Sequence, residues 1–185
     1  VQIDGSSFDD WRAAALSSGA GPTRRPVAML TFALNHAVFG GFSPVHLKAI
    51  NLVIHGMTGV LVYFLAQMLL STPALDNASL GDRRPIALLA AAIWLLHPLH
   101  VSTVLYAIQR MAQLSALFVV AGLLVFCCHR IRWAQRGADP GEVVAAALWL
   151  FMLLVLAIFS KEIGALLPWL IVVVEVTLFR GIWKR

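Results

Sequence analysis

The chain has 185 residues, of which 60% are hydrophobic and only 12% charged, with a mean hydropathy of +0.84. Soluble domains are about half apolar and about a quarter charged, so this balance excludes one and predicts an integral membrane protein of a single domain. The formal net charge of +5 comes without a basic stripe interleaved with aromatics, which excludes nucleic acid as a partner. The two cysteines, Cys127 and Cys128, are adjacent. A disulfide between neighbours is strained and two thiols make no zinc framework, so they read as small apolar residues near a helix end.

Residues 1–26 are polar and broken by Gly5, Gly19, Gly21, Pro22 and Pro26, which predicts a loop outside the bilayer with a short helix near 8–17. The chain opens on Val1 and shows no signal segment before Asp4, so we expect the native start to lie elsewhere. The apolar run 27–39 is too short for a hydrocarbon core of about 30 Å and predicts an interfacial helix ended by Gly40, Gly41 and Pro44. Five hydrophobic segments follow: 47–70, 86–107, 111–128, 143–159 and 163–179. The second is interrupted by LLHPLHVSTVLYAIQR, residues 95–110. Pro98 removes a backbone donor and clashes with the preceding turn, so the helix ending near Leu96 opens there into a broken span. Polar loops fill 71–84 and 129–142, and Ser160-Lys161-Glu162 makes a short break between the last two segments. No repeat of fixed period is visible.

Basic residues set the expected orientation. Arg83, Arg84, Arg130, Arg132, Arg136, Arg180, Lys184 and Arg185 fall on one side, and Arg12, Arg24, Arg25, Lys48, Arg110 and Lys161 on the other. The positive-inside rule makes the first group cytoplasmic. The N-terminal loop, the broken stretch and the Ser-Lys-Glu break then share the outer face.

Ionisable groups in lipid are expensive and mark functional candidates, but each has a plainer reading. His97 and His100 either line a cavity or bond to neighbouring carbonyls in a kinked span; as a metal pair they lack a third ligand. Gln109 and Arg110 open the next helix, and a guanidinium at a positive helix end suits a phosphate, or else simply snorkels. Lys161 and Glu162 line the same cavity or form a hydrophilic turn. Asn51, His55 and Gly59 recur every four residues, the pattern of helix packing through polar and small groups. Asp9 and Asp10 sit where a helix starts, and Glu175 at the inner end of the last segment is expected to pair locally with a basic residue.

Four stretches in order, GPTRRPVAMLTFALNHAVFG, SPVHLKAINLVIHGMTGVLVYFLA, AAAIWLLHPLHVSTVLYAIQRMAQLSALF and LAIFSKEIGALLPWL, resemble the membrane module of the GT-C type glycosyltransferases. The resemblance covers about residues 21–178. It is nearest to bacterial multispanning proteins related to protein O-mannosyltransferases and to the transmembrane-and-tetratricopeptide-repeat mannosyltransferases. It implies an all-α polytopic bundle in a bacterial inner membrane. The implied activity moves a sugar from a polyprenyl-phosphate carrier to a protein or glycan acceptor on the outer, periplasmic face. It further implies a general base at Asp9 or Asp10, less readily Asp4, and a carrier phosphate held by Arg24, Arg25, Arg110 and Lys161. His55, His97, His100, Gln109 and Glu162 are then expected to line the cavity, and a divalent metal is the cofactor left open. Two departures stand out. The span that precedes the first outer loop in the family is absent, and its arginine-aspartate pair reads Gln109-Arg110-Met111-Ala112-Gln113 here. The alternative is a non-catalytic scaffold or lipid-binding subunit that keeps the fold.

Overall fold

The computed structural model describes residues 7–19, 21–72, 75 and 82–179, and every regular element among them is helical. Helix α1, Phe8–Ala15, starts at Ser7, whose hydroxyl accepts from the Asp9 amide at 3.2 Å. Asp9 and Asp10 occupy its first turn, where carboxylates meet the positive end of the helix. Helix α2, Pro26–Phe39, opens on a proline and closes at Gly40 and Gly41, both at positive φ. Its 14 residues reach about 21 Å, short of a bilayer core. Trp11 and Ala14 of α1 pack on Ala33 of α2.

Four helical segments among the described residues are long and apolar enough to cross a membrane: Pro44–Leu70, Ala107–Arg136, Pro140–Ser160 and Glu162–Phe179. The first is α3, Pro44–Leu70. The second is a 3₁₀ turn, Ala107–Gln109, leading into α6, Arg110–Arg136. The third is α7, Pro140–Ser160, whose N-cap Asp139 accepts from the Gly141 and Glu142 amides. The fourth joins a 3₁₀ turn, Glu162–Leu166, to α8, Leu167–Val174, and a π turn, Glu175–Phe179. Between α3 and α6 lie α4, Arg83–Leu95, and the short α5, His100–Leu105. At 13 residues α4 reaches only about 20 Å. The chain is thus an all-α polytopic bundle with a broken element at Leu96–Leu99.

The bundle is centred on α6, which packs most extensively against α7 and α3, while α4 lies along the other side of α3. Close approach of α3 and α4 depends on Gly59: a Cβ there would overlap the Leu95 side chain. The surface is apolar, with Leu88, Trp149, Phe151 and Trp169 exposed, while Asn51, Arg110, Gln113, Ser115 and Ser160 are buried. That inversion is what lipid imposes, since polar groups gain only by turning inward. Where α6 and the last segment end together, Arg130 donates from Nε and Nη2 to the two carboxylate oxygens of Glu175, each at 2.8 Å, as the local pairing of Glu175 anticipates. Across the loop joining α6 to α7, Arg136 at the end of one helix pairs with Glu142 in the first turn of the other. Cys127 and Cys128 are free thiols within α6.

Candidate functional site

A broken helix leaves its last carbonyls without partners, and each buried one costs about 1–3 kcal/mol if nothing donates to it. Here side chains of α3 and α6 supply the donors. His55 Nε2 lies 3.0 Å from the Leu95 carbonyl at the end of α4, an oxygen that only accepts, so this nitrogen carries the proton. Gln113 Nε2 donates to the Thr103 carbonyl at 2.7 Å. Asn51 Nδ2 donates to the carbonyls of Val104 and Tyr106, both at 3.2 Å. Asn51, His55 and Gly59, three positions on one face of α3, therefore hold the broken element against the bundle.

Arg110 completes this lattice. It is 0% exposed. Its Nε donates to Asn51 Oδ1 at 3.0 Å, Nη1 to the Thr31 carbonyl at 3.3 Å, and Nη2 to the Leu47 carbonyl at 3.1 Å. The Phe32 ring lies under the guanidinium, its centroid 4.4 Å away. One side chain so ties the starts of α6 and α3 to α2.

Beside this lattice is a cavity of about 340 Å³, lined among others by His55, Trp94, His100, Gln113, Ser115 and Lys161. Its aromatic wall has His55 and Trp94 stacked with ring centroids 4.8 Å apart, and His100 lies 4.6 Å from Trp94 and 5.1 Å from His55. Gln113 is only 4% exposed; its amide nitrogen is committed to Thr103, and its Oε1 has no hydrogen-bond partner.

Helix α7 ends at Ser160, and at Lys161 the backbone turns extended (φ −162°, ψ 145°). The Lys161 carbonyl accepts from the Ser115 hydroxyl at 3.3 Å and the Gly164 amide at 2.9 Å. The next residue, Glu162, belongs to the N-terminal segment instead. Arg25 donates to it from Nε at 3.1 Å and Nη2 at 2.9 Å, and the Thr23 hydroxyl donates at 3.4 Å. Gly21, at φ 77°, passes so close that a Cβ would overlap the Glu162 carboxylate. Arg25 itself is held in the left-handed region at φ 49°. With the Glu162 carboxylate occupied, Lys161 lines the cavity without a carboxylate partner among the described residues.

The N-terminal loop, the broken stretch and the Ser-Lys-Glu turn thus meet at one end of the bundle. The individual residues sort differently from expectation. Lys161, His55 and His100 line the cavity. His97 is exposed and lines a shallower cleft with His100 and Leu96. Gln109 is half-buried in the 3₁₀ turn, and the glutamine that reaches the cavity is Gln113, one helical turn further on. Glu162 faces Arg25 instead of the cavity. Arg110 does not line the cavity with Lys161: each of its three guanidinium nitrogens donates to a protein oxygen, and in this arrangement it braces the bundle. Arg24 is exposed, and Arg25 is engaged by Glu162. Asp9 and Asp10 line no part of the cavity; they serve the start of α1, and Asp4 lies outside the described residues. Trp94, Gln113 and Ser115 were not anticipated; the one signal for Gln113 was a polar residue inside an apolar span, three positions after Arg110. Among the described residues no group of three or more His, Cys, Asp or Glu could hold a metal ion. The described residues around the cavity do not fit a divalent cation.

Membrane-length helices with apolar exteriors, folded around a largely apolar cavity with a few polar side chains at a broken element, define a polytopic α-helical membrane protein. The chain is similar to parts of larger proteins. The chain is 29% identical over 163 residues to protein O-mannosyl-transferase TMTC4 of Homo sapiens, covering 84% of this chain and 21% of that protein. It is 29% identical over 148 residues to protein O-mannosyl-transferase Tmtc2 of Drosophila melanogaster, 79% of this chain and 14% of the relative. Against human protein O-mannosyl-transferase TMTC3 the identity is 24% over 157 residues, 85% and 15% of the two chains. The chain thus spans about a fifth of the length of the first of these relatives and less of the others. The resemblance to transmembrane-and-tetratricopeptide-repeat mannosyltransferases rests on direct sequence similarity. Neither a protein-family profile nor a solved structure matches the chain.

Proposed function

We propose that the chain forms the carrier-binding part of a membrane glycosyltransferase that moves a sugar, mannose by the names of its relatives, from a polyprenyl phosphate to a protein or glycan acceptor. The observation that carries this reading is Lys161: a cation without a carboxylate partner among the described residues, at the cavity where a span is broken. As the sugar leaves, negative charge builds on the carrier phosphate, and an ammonium beside it stabilises that charge. The lattice of Asn51, His55, Gln113 and Arg110 keeps the cavity open by satisfying the backbone around it. In this reading the cavity end lies at the outer, periplasmic face of a bacterial inner membrane, among headgroups, an orientation that the distribution of basic residues supports.

The cavity holds no carboxylate among the described residues, which favours a second reading: a lipid-binding subunit that keeps the fold without the chemistry. One experiment separates the two. Membranes carrying the whole protein are given a photoactivatable polyprenyl phosphate and a polyprenyl phosphoryl mannose. Crosslinking that falls about tenfold or more in Lys161→Met, together with mannose transfer, supports the enzyme. Crosslinking without transfer supports the subunit. Equal crosslinking of the wild type and Lys161→Met sinks both.

A further inference from the structure

Sugar transfer to a hydroxyl needs a place for a proton. The attacking hydroxyl must give its proton to a base within hydrogen-bond reach, and that base must hold a free lone pair when the hydroxyl arrives. Few groups around the cavity qualify. No carboxylate lines it among the described residues, and the Lys161 ammonium has donors only. The hydroxyls of Thr58 and Ser115 donate to the Ile54 and Lys161 carbonyls at 2.8 and 3.3 Å, and a hydroxyl is itself a group that needs a base. Two imidazoles remain. His55 is 6% exposed, and its Nε2 is committed to the Leu95 carbonyl at 3.0 Å. His100 is differently placed. Its ring is half-buried beside Trp94 and His55, and neither ring nitrogen has a hydrogen-bond partner among the described residues or is sealed from the surface. The residue borders both the cavity and the shallower cleft beside it, so a donor and an acceptor can approach it from different sides.

We infer that His100 is the catalytic base of the transfer: its imidazole takes the proton of the acceptor hydroxyl as that oxygen bonds to the anomeric carbon of the sugar. This deepens the proposed function above and rests on its enzyme form. The bond from the anomeric carbon to the carrier phosphate oxygen breaks as the new bond forms, and its electron pair leaves with the phosphate. Lys161 stands beside the charge that develops there. The imidazolium then releases its proton to water, and the ring is ready for a second acceptor.

Membranes carrying the whole protein are given farnesyl phosphoryl mannose labelled in the sugar, with a peptide rich in serine and threonine as acceptor. A photoactivatable polyprenyl phosphate reports carrier binding separately. His100→Phe keeps a flat ring beside Trp94 but cannot take a proton. Its mannose transfer should fall about a hundredfold or more, while carrier crosslinking stays within about twofold of wild type. His100→Ala should lose transfer in the same way, and added imidazole should restore part of it, since the free base can occupy the space left by the ring. Wild-type transfer by His100→Phe overturns the inference and leaves the enzyme reading standing. So does a parallel loss of transfer and crosslinking in both variants, which would make His100 a packing residue, and so does a failure of imidazole to raise transfer by His100→Ala. No transfer by the wild type, with crosslinking intact, overturns the inference together with the enzyme reading and favours the lipid-binding subunit.

Discussion

Arg110 shows how one side chain's role depends on partners far away in the chain. In sequence it is a cation at the start of an apolar helix, and an anion is the natural complement. Its actual complements are neutral carbonyl oxygens and Asn51, 59 positions away. The four-residue spacing of Asn51, His55 and Gly59 shows that a face of α3 is buried; it does not show which carbonyls a broken element leaves free, and that is why the partner was illegible. A double-mutant cycle measures the link. Asn51→Leu and Arg110→Met should each lower the stability of the purified protein, and their coupling in thermal or denaturant unfolding should be about 0.5–3 kcal/mol. Full additivity would mean that the two do not act together.

At the level of elements, most of the helices could be read from the sequence because length and apolarity decide them. The short α2, the long α3 and the end of α7 near Ser160 all follow from runs of apolar residues and their proline, glycine and aspartate boundaries. The broken stretch was legible as a break at Pro98, but its cause was only half visible. Proline opens the helix at one point; Asn51, His55 and Gln113 keep it open by donating to Leu95, Thr103, Val104 and Tyr106. Pro98→Ala alone should therefore leave the break in place and carrier crosslinking within about twofold of wild type, since one helical bond is regained where four side-chain bonds persist. Adding Asn51→Leu and Gln113→Leu should let helix propagate and close the cavity, read as loss of accessibility of a cysteine placed at His100. If Pro98→Ala alone closes it, the proline outweighs the side-chain lattice. Gly59→Ala should destabilise by about 1–3 kcal/mol, because the new methyl overlaps Leu95 at the same junction.

For the whole molecule, sidedness is testable with single cysteines in a Cys127→Ala/Cys128→Ala background. Ser17 and Ala138 are both exposed, at opposite ends of the bundle. In intact cells an impermeant thiol reagent should modify Ser17→Cys and spare Ala138→Cys; the reverse pattern would invert the orientation and place the cavity inside. The clasp between Arg25 and Glu162, 137 positions apart, has a bearing on how the molecule is made. Ribosomes make residues 21–25 well before Glu162, so the earlier piece has no seat until the segment that Glu162 opens is inserted. Nascent chains arrested before Glu162 should leave residues 21–25 open to trypsin, and chains extended beyond Phe179 should protect them.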